Sequence, residues 1–395
     1  MLLQRMRFSG LSKMIFSGIK SVLVLKLRHI GDVLLTVPVF RALKETFPDA
    51  RVSALVNAGT EAVLQGNPLI NDIIVLDRGV KSLPPATRLL KEWSFLRALS
   101  KRAFDMTVDL TGGDRAAVAS FATGAKVRIG LNSGEGLMGK RLLYTHLSSP
   151  DVHKHTVFYN LEIVRPFGIS TDDHSIDFYT SEEDRVFIDK VLEEHKVGAG
   201  AMIVHVHPTS RWLFKCWNDN YMADVIRWLL EKDMFVAVTA SPDSREIEKA
   251  GRILELVGER QRLIDLRGKT TIKQLGALSK ASRLFFGVDS APMHIAAAVG
   301  TPVVALFGPS GAFNWGPWDN NERGVSSGSP AVTPYAKRNG IQTFGIHTVI
   351  QQERDCVPCG CDGCAGSKTS DCLEEIKASV VKEILAERLK TGVSS

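Results

Sequence analysis

Short apolar runs alternate with amphipathic stretches along most of this chain. In the first half, the apolar runs have the length and composition of buried strands and occupy residues 21–27, 51–56, 72–76, 105–109 and 127–130. Helical periodicity predicts helices at residues 33–47, 60–65, 86–101 and 157–167. Pro38 is expected to kink the first of these helices or to mark its true start. This alternation predicts a parallel, doubly wound sheet, with residues 29–32 as a tight turn after the first strand.

The same alternation begins again after residue 180. Predicted strands lie at residues 201–205, 235–239, 262–265, 284–288 and 303–307. Predicted helices lie at residues 181–195, 221–232, 244–256, 271–280, 293–299 and 371–389. The chain is therefore predicted to contain two α/β halves. Ligands of such proteins usually bind in the cleft between the halves, at the carboxyl ends of both sheets.

Composition narrows the class of protein. With 395 residues, 44% of them hydrophobic and 23% charged, the chain is an ordinary globular protein long enough for two cores. No apolar run approaches the roughly 20 residues that cross a bilayer. A net charge of +6 favours anionic partners without selecting one.

The first twenty residues are basic and apolar and contain no acid. A secretory signal is not expected, because Lys26 and Arg28 interrupt the following apolar run and no small-residue cleavage site follows. Contact with an anionic membrane surface and a frayed chain start are both compatible with this composition.

Residues 284–309 contain two apolar runs separated by a short predicted helix. Asp289 or Ser290 can cap this helix, and Pro292 suits its first turn. A helix that begins right after a strand directs its N–H groups to the sheet edge where phosphates bind, close to Asp289, Ser290 and His294. A structural crossover with a simple cap explains this stretch equally well.

The other strand ends exclude two nucleotide-binding classes. The first turn, R-H-I-G-D, is not the G-x-G-x-x-G of a dehydrogenase, and no P-loop motif is present. This turn instead carries one carboxylate, Asp32. After the first strand of the second half, hydroxyls, Arg211 and Lys215 lie within a few residues and form a predicted anion cradle.

Three motifs together resemble glycosyltransferase family 9, the ADP-heptose:lipopolysaccharide heptosyltransferases. They are H-I-G-D-V-L-L-T-V-P at 29–38, H-P-T-S-R-W-L-F-K-x-W at 207–217 and G-V-D-S-A-P-M-H-I-A-A-A-V-G-T-P-V-V-A-L-F-G at 287–308. The resemblance implies an α/β GT-B fold of two facing Rossmann-like domains with parallel sheets and a cleft between them. The first domain would bind the acceptor and the second the nucleotide-sugar, with inversion at the anomeric carbon.

This resemblance also implies domain limits and a branch of the family. The expected segments are a basic extension at 1–20, an acceptor domain at 21–175, a nucleotide-sugar domain at 176–372 and a helix at 373–395 that braces the first domain. The sequence R-D-C-V-P-C-G-C-D-G-C at 354–364 resembles the heptosyltransferase III branch, which adds a side-branch heptose to the second core heptose. Heptosyltransferases I and II are the alternatives within the family.

Roles follow when the family motifs are laid on this chain. Asp32 matches the general base, and one carboxylate is enough for an inverting displacement. The expected acceptor-binding residues are Arg28, His29 and Gly31. The expected nucleotide-sugar-binding residues are Thr209, Ser210, Lys215, Asp289, Ser290, Ala291 and His294. Because two anions repel, Asp289 is expected to contact a heptose hydroxyl or to cap its helix rather than to touch phosphate.

No metal or cofactor is expected in this reaction. The chain has no D-x-D motif, which argues for Lys and helix-dipole stabilisation of the diphosphate. The expected partners are ADP-heptose, the lipopolysaccharide core and the inner-membrane surface, without nucleic acid. The expected location is cytoplasmic and peripheral, on the cytoplasmic face of the inner membrane.

Five of the six cysteines lie close together near the end of the chain, at Cys356, Cys359, Cys361, Cys364 and Cys372. Their number would suffice for zinc or an iron–sulfur cluster. One residue separates the two C-x-x-C pairs, however, and zinc sites normally have a longer loop there. Reduced cytosolic thiols are therefore the favoured interpretation.

Two rival functions remain open from the sequence. One is another GT-B sugar-nucleotide enzyme such as an epimerase. The other is a non-catalytic metal- or nucleic-acid-binding module that uses the cysteines and the basic balance, although the charge is scattered along the chain.

Overall fold

A computed structural model describes residues 16–133, 136–321 and 334–391, so most of the predicted basic extension lies outside the described residues. The chain divides into two compact units between Tyr179 and Thr180. None of the helices in the described ranges combines the length and the apolar character needed to span a bilayer.

The first unit contains a six-stranded sheet in which every neighbouring pair is parallel, in the order β3-β2-β1-β4-β5-β6. Its strands are β1 (Ser21–Lys26), β2 (Arg51–Asn57), β3 (Asp72–Leu76), β4 (Met106–Asp109), β5 (Val127–Leu131) and β6 (His146–Ser148). Its helices are α1 (Ile30–Leu34), α2 (Val37–Thr46), α3 (Pro85–Ser100), α4 (Asp114–Ala122) and α5 (Thr156–Val164). Short 3-10 turns lie at Glu61–Val63, Gly79–Ser82, Lys140–Leu143 and Arg165–Phe167.

The strand order places the end of β1 at the point where the connections diverge. The chain leaves β1 toward β2 on one side and reaches β4 on the other. In open α/β sheets, ligands bind at such a switch point, at the carboxyl ends of the strands. Residues 27–32 occupy this position in the first unit.

The second unit contains a seven-stranded sheet in the order β12-β13-β11-β10-β7-β8-β9, and only the β12–β13 pair is antiparallel. Its strands are β7 (Ile203–His207), β8 (Phe235–Ala240), β9 (Leu263–Arg267), β10 (Leu284–Val288), β11 (Val303–Phe307), β12 (Gln342–Phe344) and β13 (His347–Gln351). Its helices are α6 (Glu182–Glu194), α7 (Asp219–Glu231), α8 (Ser244–Val257), α9 (Ile272–Ala281), α10 (Ala291–Ala298), α11 (Ala312–Trp315), α12 (Asp371–Glu374) and α13 (Ala378–Thr391). Short 3-10 turns lie at Leu213–Lys215 and Cys364–Gly366.

β7 and β10 are neighbours, and His207 is paired with Gly287 near the ends of the two strands. A Cβ at Gly287 would lie 2.6 Å from the His207 carbonyl oxygen, so only glycine allows this approach. The pairing brings the segment after β7 beside the segment after β10. Two of the three motifs found in the sequence therefore meet at one sheet edge.

The predicted α/β architecture with parallel sheets is confirmed. Some local predictions differ from the structure. Residues 30–32, expected in a tight turn, form the first turn of α1. The kink or later helix start expected at Pro38 is confirmed, because the helical stretch is interrupted before Val37, where α2 begins. Pro38 explains the interruption, because it has no N–H and is accommodated in the first turn of α2.

Other differences concern the sheet edges and the end of the chain. β6, β12 and β13 were not predicted, because β6 and β12 have only three residues and the apolar run in β13 is interrupted by polar residues at both ends. β7 extends to His207, two residues beyond its predicted end. The single helix expected at 371–389 is divided into α12 and α13.

The last helix contributes to the core of the second unit, where Val381, Leu385 and Leu389 of α13 are buried. They join Val204 and Val206 of β7 in one apolar cluster. The apolar face of α13 is thus used to complete the second unit. The expectation that this helix braces the first half stays a prediction.

Candidate active site

Asp32 lies in the first turn of α1, directly after the end of β1. The backbone N–H of His29 donates a hydrogen bond to Asp32 Oδ2 at 3.4 Å, which fixes the carboxylate at the start of the helix. Asp32 is half-buried, whereas Arg28 and His29 are exposed beside it. Arg28 Nη2 donates to the Thr111 carbonyl at 3.3 Å, so this cation is held at the same sheet edge. The structure therefore groups the predicted acceptor-side residues.

A buried lysine supports this sheet edge from below. Lys26, at the end of β1, is 5% exposed, and its Nζ donates to the Leu110 carbonyl at 2.9 Å and to Asn160 Oδ1 at 3.1 Å. Asn160 Nδ2 in turn donates to the Leu35 carbonyl at 3.1 Å, directly after α1. Burial lowers the pKa of Lys26 to about 8, and the attraction of the Asp32 carboxylate opposes this shift. Lys26 thus connects three elements around Asp32.

A second buried group lies at the end of β4. Asp109 is fully buried, and burial raises the pKa of its carboxyl group. Tyr144 donates its hydroxyl hydrogen bond to Asp109 Oδ2, and the Thr111 N–H donates to Oδ1 at 2.7 Å. These bonds favour the ionised carboxylate and oppose the effect of burial. Asp109 shapes the loop that holds Arg28.

In the second unit, Lys215 and Asp289 form an ion pair between the two motif segments. Lys215 Nζ lies 2.6 Å from Asp289 Oδ2. The Asp289 side chain is 7% exposed and that of Lys215 is 22% exposed, so the pair is largely shielded from water. Such a pair holds the lysine at the sheet edge while leaving one face of its ammonium group accessible. The predicted donor-side cation is therefore at the carboxyl end of β10.

The start of α10 lies at the same edge. Ser290 occupies the N-cap position, but its hydroxyl lies 3.2 Å from the Val288 carbonyl and donates to it. Within the described chain, the Ser290 side chain therefore caps no N–H group of α10. The positive end of the helix, at Ala291, is thus left to a ligand or to solvent. His294, one turn further along, is buried.

Thr209 is fully buried, and its hydroxyl is engaged with a carboxylate. Thr209 Oγ1 donates to Glu246 Oε2 at 2.9 Å, and Ser241 Oγ donates to Glu246 Oε1 at 2.6 Å. Glu246 is itself 5% exposed in the first turn of α8. Ser210 is also buried and accepts the Trp212 N–H at 3.3 Å. The two hydroxyl residues therefore fix the loop after β7.

Two histidines of β7 form a neutral network beneath this loop. The Thr239 hydroxyl lies 2.7 Å from His205 Nε2 and 2.8 Å from His207 Nδ1, so it donates to one ring and accepts from the other. His205 Nδ1 also lies 2.8 Å from Ser279 Oγ. Burial lowers the pKa of His207 to about 3 and that of His205 well below its usual range. Both rings are therefore uncharged at neutral pH, and their role in this network is structural.

The clustered cysteines form no disulfide in the structure and differ in exposure. Cys356, Cys359 and Cys361 are exposed, whereas Cys372 is buried. Across the described ranges, no group of three or more His, Cys, Asp or Glu side chains is arranged to hold a metal ion. The segment also contacts the Lys215 loop, because Ser370 Oγ donates to the Phe214 carbonyl at 2.6 Å.

Lys26 and Glu246 belong to these sites but were not predicted from the sequence. Lys26 was detectable in principle, because it is the one charged residue in the strand S-V-L-V-L-K. A lysine in a buried strand requires acceptors and often marks a site. Glu246 gave no comparable sign, because an acid in the first turn of a helix is common on any protein surface.

Comparison with known proteins identifies relatives of this chain. A model of glycosyltransferase family 9 (heptosyltransferase) matches residues 92–341. Lipopolysaccharide heptosyltransferase 3 of Escherichia coli (strain K12) is 33% identical over 301 residues, which cover 75% of this chain and 84% of the relative.

Solved structures share the fold. A family 9 glycosyl transferase from Veillonella parvula DSM 2008 superimposes with a TM-score of 0.74 at 19% identity, covering 94% of this chain and 98% of that chain. The E. coli ADP-heptose lps heptosyltransferase II superimposes with a TM-score of 0.69 at 17% identity, covering 94% of this chain and 99% of that chain.

Proposed function

This chain belongs to glycosyltransferase family 9, and we propose that it transfers L-glycero-D-manno-heptose from ADP-heptose to the inner core of lipopolysaccharide. Its acceptor in this proposal is the second core heptose, which receives a side-branch heptose as in the heptosyltransferase III branch. The 33% identity with lipopolysaccharide heptosyltransferase 3 of E. coli supports this assignment.

Asp32 acts as the general base of an inverting displacement. Its carboxylate takes the proton from the acceptor hydroxyl while that oxygen forms a bond to the anomeric carbon. The bond from this carbon to the phosphate oxygen breaks, and ADP leaves with the bonding electrons. The half-buried position of Asp32, held by the His29 N–H, supports this role. Arg28 and His29, exposed beside Asp32 and next to Gly31, bind the acceptor sugar.

Lys215 stabilises the diphosphate of the donor. Charge grows on the phosphates as ADP departs, and a fixed ammonium group lowers the energy of that state. In the structure this group is paired with Asp289. Donor binding would exchange part of that pairing for the diphosphate, and Asp289 would then accept a hydrogen bond from a heptose hydroxyl.

The remaining donor-side residues orient the same group. The N–H groups at Ser290 and Ala291, at the positive end of α10, face the phosphates, and His294 supports this turn. Ser210 and Thr209 hold the loop that carries Lys215, because their side chains are buried and hydrogen-bonded. This arrangement needs neither a metal ion nor a cofactor in the proposed mechanism.

The proposed working location is the cytoplasmic face of the inner membrane. The acceptor core is attached to a lipid, and ADP-heptose is a water-soluble nucleotide-sugar. An enzyme that joins them must approach a membrane surface from the aqueous side. The proposal therefore includes peripheral association with this surface.

The observation that carries this proposal is the Lys215–Asp289 pair, at the meeting point of two family motifs. The test is an incubation of the purified protein with ADP-heptose and a core oligosaccharide that lacks the side-branch heptose. Mass spectrometry should show the addition of one heptose, and linkage analysis should place it on the second core heptose. Addition only to a more truncated core would assign the protein to the heptosyltransferase I or II branches. No transfer, with turnover of a UDP-sugar instead, would favour an epimerase.

A further inference from the structure

One surface of the first unit exposes an unusual number of large apolar side chains. We define the apolar–basic face as the exposed surface of α3, α4 and the turn at residues 136–143. Leu89 is 70% exposed, Leu90 65% and Trp93 55%. The exposed apolar side chains of this face are Leu89, Leu90, Trp93, Val118, Phe121, Leu137, Met138 and Leu142. Monomeric soluble proteins rarely expose apolar groups together in this way.

The three segments lie side by side. α3 packs on α4, and Arg115 Nη2 of α4 lies 3.5 Å from Glu92 Oε1 of α3. α4 packs in turn on the turn Lys140–Leu143, and Asp114 Oδ1 accepts the Leu137 N–H at 2.9 Å. The exposed apolar groups therefore lie on three segments that are in contact with one another.

α3 has the polarity of a helix that rests on a membrane. Phe95, Leu96 and Leu99 face the core of the first unit. On a surface helix the opposite side is normally polar, but here Leu90, nine residues before Leu99 and therefore on the opposite side, is exposed, and Trp93, three residues further along, is exposed beside it. A helix whose outer side combines Leu and Trp with Lys and Arg is typical of binding at a lipid interface.

The charged side chains of this face are predominantly basic. Its two acids are engaged, because Glu92 pairs with Arg88 and Arg115, and Asp114 pairs with Lys140. In the part of the chain that the structure describes, Lys91, Arg97 and Arg141 form no ion pair. Arg97 lies over the Trp93 ring at 5.1 Å, so a cation and an aromatic ring are presented together.

We propose that the apolar–basic face docks the protein on an anionic phospholipid surface, with its leucines and Trp93 in the interfacial layer and its cations at the headgroups. Charge complementarity selects this occupant. A second copy of the chain would bring the same cations together, and their repulsion opposes that pairing. The proposed peripheral location does not say which surface of the protein contacts the membrane, and the apolar–basic face is assigned this contact. It rests on the proposed function only for its biological setting.

The test is sedimentation of the full chain with vesicles of phosphatidylethanolamine and phosphatidylglycerol, compared with vesicles of phosphatidylcholine. The unaltered protein should bind the anionic vesicles, and added salt should weaken the binding. The triple variant Leu89→Ser, Leu90→Ser, Trp93→Ser should lose about tenfold or more in partitioning, because its apolar insertion is removed. Lys91→Glu with Arg97→Glu should also weaken binding, mainly at low salt.

A matched control replaces Val186, Met202 and Leu256, which are exposed apolar residues of the second unit, by serine. This control should bind vesicles like the unaltered protein. Equal partitioning of the Leu89, Leu90, Trp93 variant and the unaltered protein would overturn the proposal, as would no binding to anionic vesicles. A dimer that the triple variant dissociates would assign the face to a second copy and would also overturn it.

A second measurement separates this inference from the enzymatic proposal. The triple variant should transfer heptose to a soluble, deacylated core oligosaccharide at the rate of the unaltered protein, because the apolar–basic face does not include Asp32. If vesicle binding is lost in the variant but neither protein transfers heptose, the docking surface stands and the proposed function fails. If both proteins transfer heptose and bind vesicles equally, the proposed function stands and the docking surface fails.

Discussion

The first strands of the two units end in opposite kinds of environment. β1 leads to a half-buried carboxylate, Asp32, with Arg28 and His29 exposed beside it. β7 leads to the buried, hydrogen-bonded Thr209, close to the ion pair of Lys215 and Asp289. We infer that the first end is built to admit a large sugar acceptor and the second to hold one fixed nucleotide group. Preorganisation is of greatest use where charge develops.

Replacing Asp32 tests the open end and should have the largest effect. Asp32→Asn should lower kcat by about 10²–10⁴ while ADP-heptose still binds, because proton removal alone is impaired. Asp49→Asn, an exposed carboxylate after α2, serves as the control and should keep full activity. Near-normal turnover by Asp32→Asn would show that Asp32 is not the general base, and the proposed difference between the two strand ends would then fail.

Lys215 tests the closed end. Lys215→Ala should weaken ADP-heptose binding by about 10–10²-fold and also lower kcat, because the diphosphate loses a fixed cation and Asp289 is left buried without its partner. Lys215→Arg should restore part of the affinity, since its guanidinium group has a different geometry. The control is Lys382→Ala, which removes the 2.8 Å pair with Asp224 in the same unit. If calorimetric titration shows unchanged affinity for ADP-heptose in Lys215→Ala, Lys215 does not bind the diphosphate.

Lys26 provides a pH test of the buried support under the open end. Its pKa is about 8 in the folded chain against the ordinary 10.5, so the unfolded chain binds more protons between these values. Stability should therefore rise with pH across this window, by about 3 kcal/mol in total. Below about pH 8 both states are protonated and this contribution to the slope vanishes.

Urea unfolding at about pH 7.5 and about pH 9.5 measures this slope. In Lys26→Met the rise should disappear, whereas Lys20→Met, which removes an exposed lysine, should keep it. A rise of equal size in Lys26→Met would show that another group titrates there. The slope is the readout because the substitution itself also changes stability.

The smallest effect is expected from the Thr209–Glu246 hydrogen bond. Thr209→Val and Glu246→Gln should each destabilise the second unit, and their double-mutant cycle should give a coupling of about 1 kcal/mol. Thr209→Ser keeps the hydroxyl and is the matched control. Zero coupling would mean that the 2.9 Å contact does not fix the loop after β7.

Periodicity predicted most of the fold because buried parallel strands are nearly continuous apolar runs. β10 (Leu284–Val288) and β11 (Val303–Phe307) have the predicted limits. The three-residue strand β6 was beyond this method, since its H-L-S sequence has no pattern and neighbouring β5 decides its pairing. The division of the last helix likewise depends on the core into which α13 packs.

The candidate site was predictable to the level of segments. The motifs after β7 and β10 are adjacent because the strands pair in parallel, and a parallel sheet brings the ends of its strands to one edge. The contacts of individual atoms were not predictable. Asp289 was expected to cap α10 or contact a sugar, and only the packing of the two segments shows that it pairs with Lys215. The bond from Thr209 to Glu246 joins residues 37 positions apart and depends on both rotamers.

The position of α13 sets an order for the folding of the chain during synthesis. The core of the first unit can form from residues up to Tyr179. In the second unit, the apolar cluster around β7 is complete only after Leu385 and Leu389 have been synthesised. Contacts over such a sequence distance form slowly, and chains fold from the N-terminus as they are made. The first unit, which carries Asp32, should therefore fold while the second unit still exposes the apolar residues of β7. During this interval the second unit is the part of the chain that a chaperone would bind.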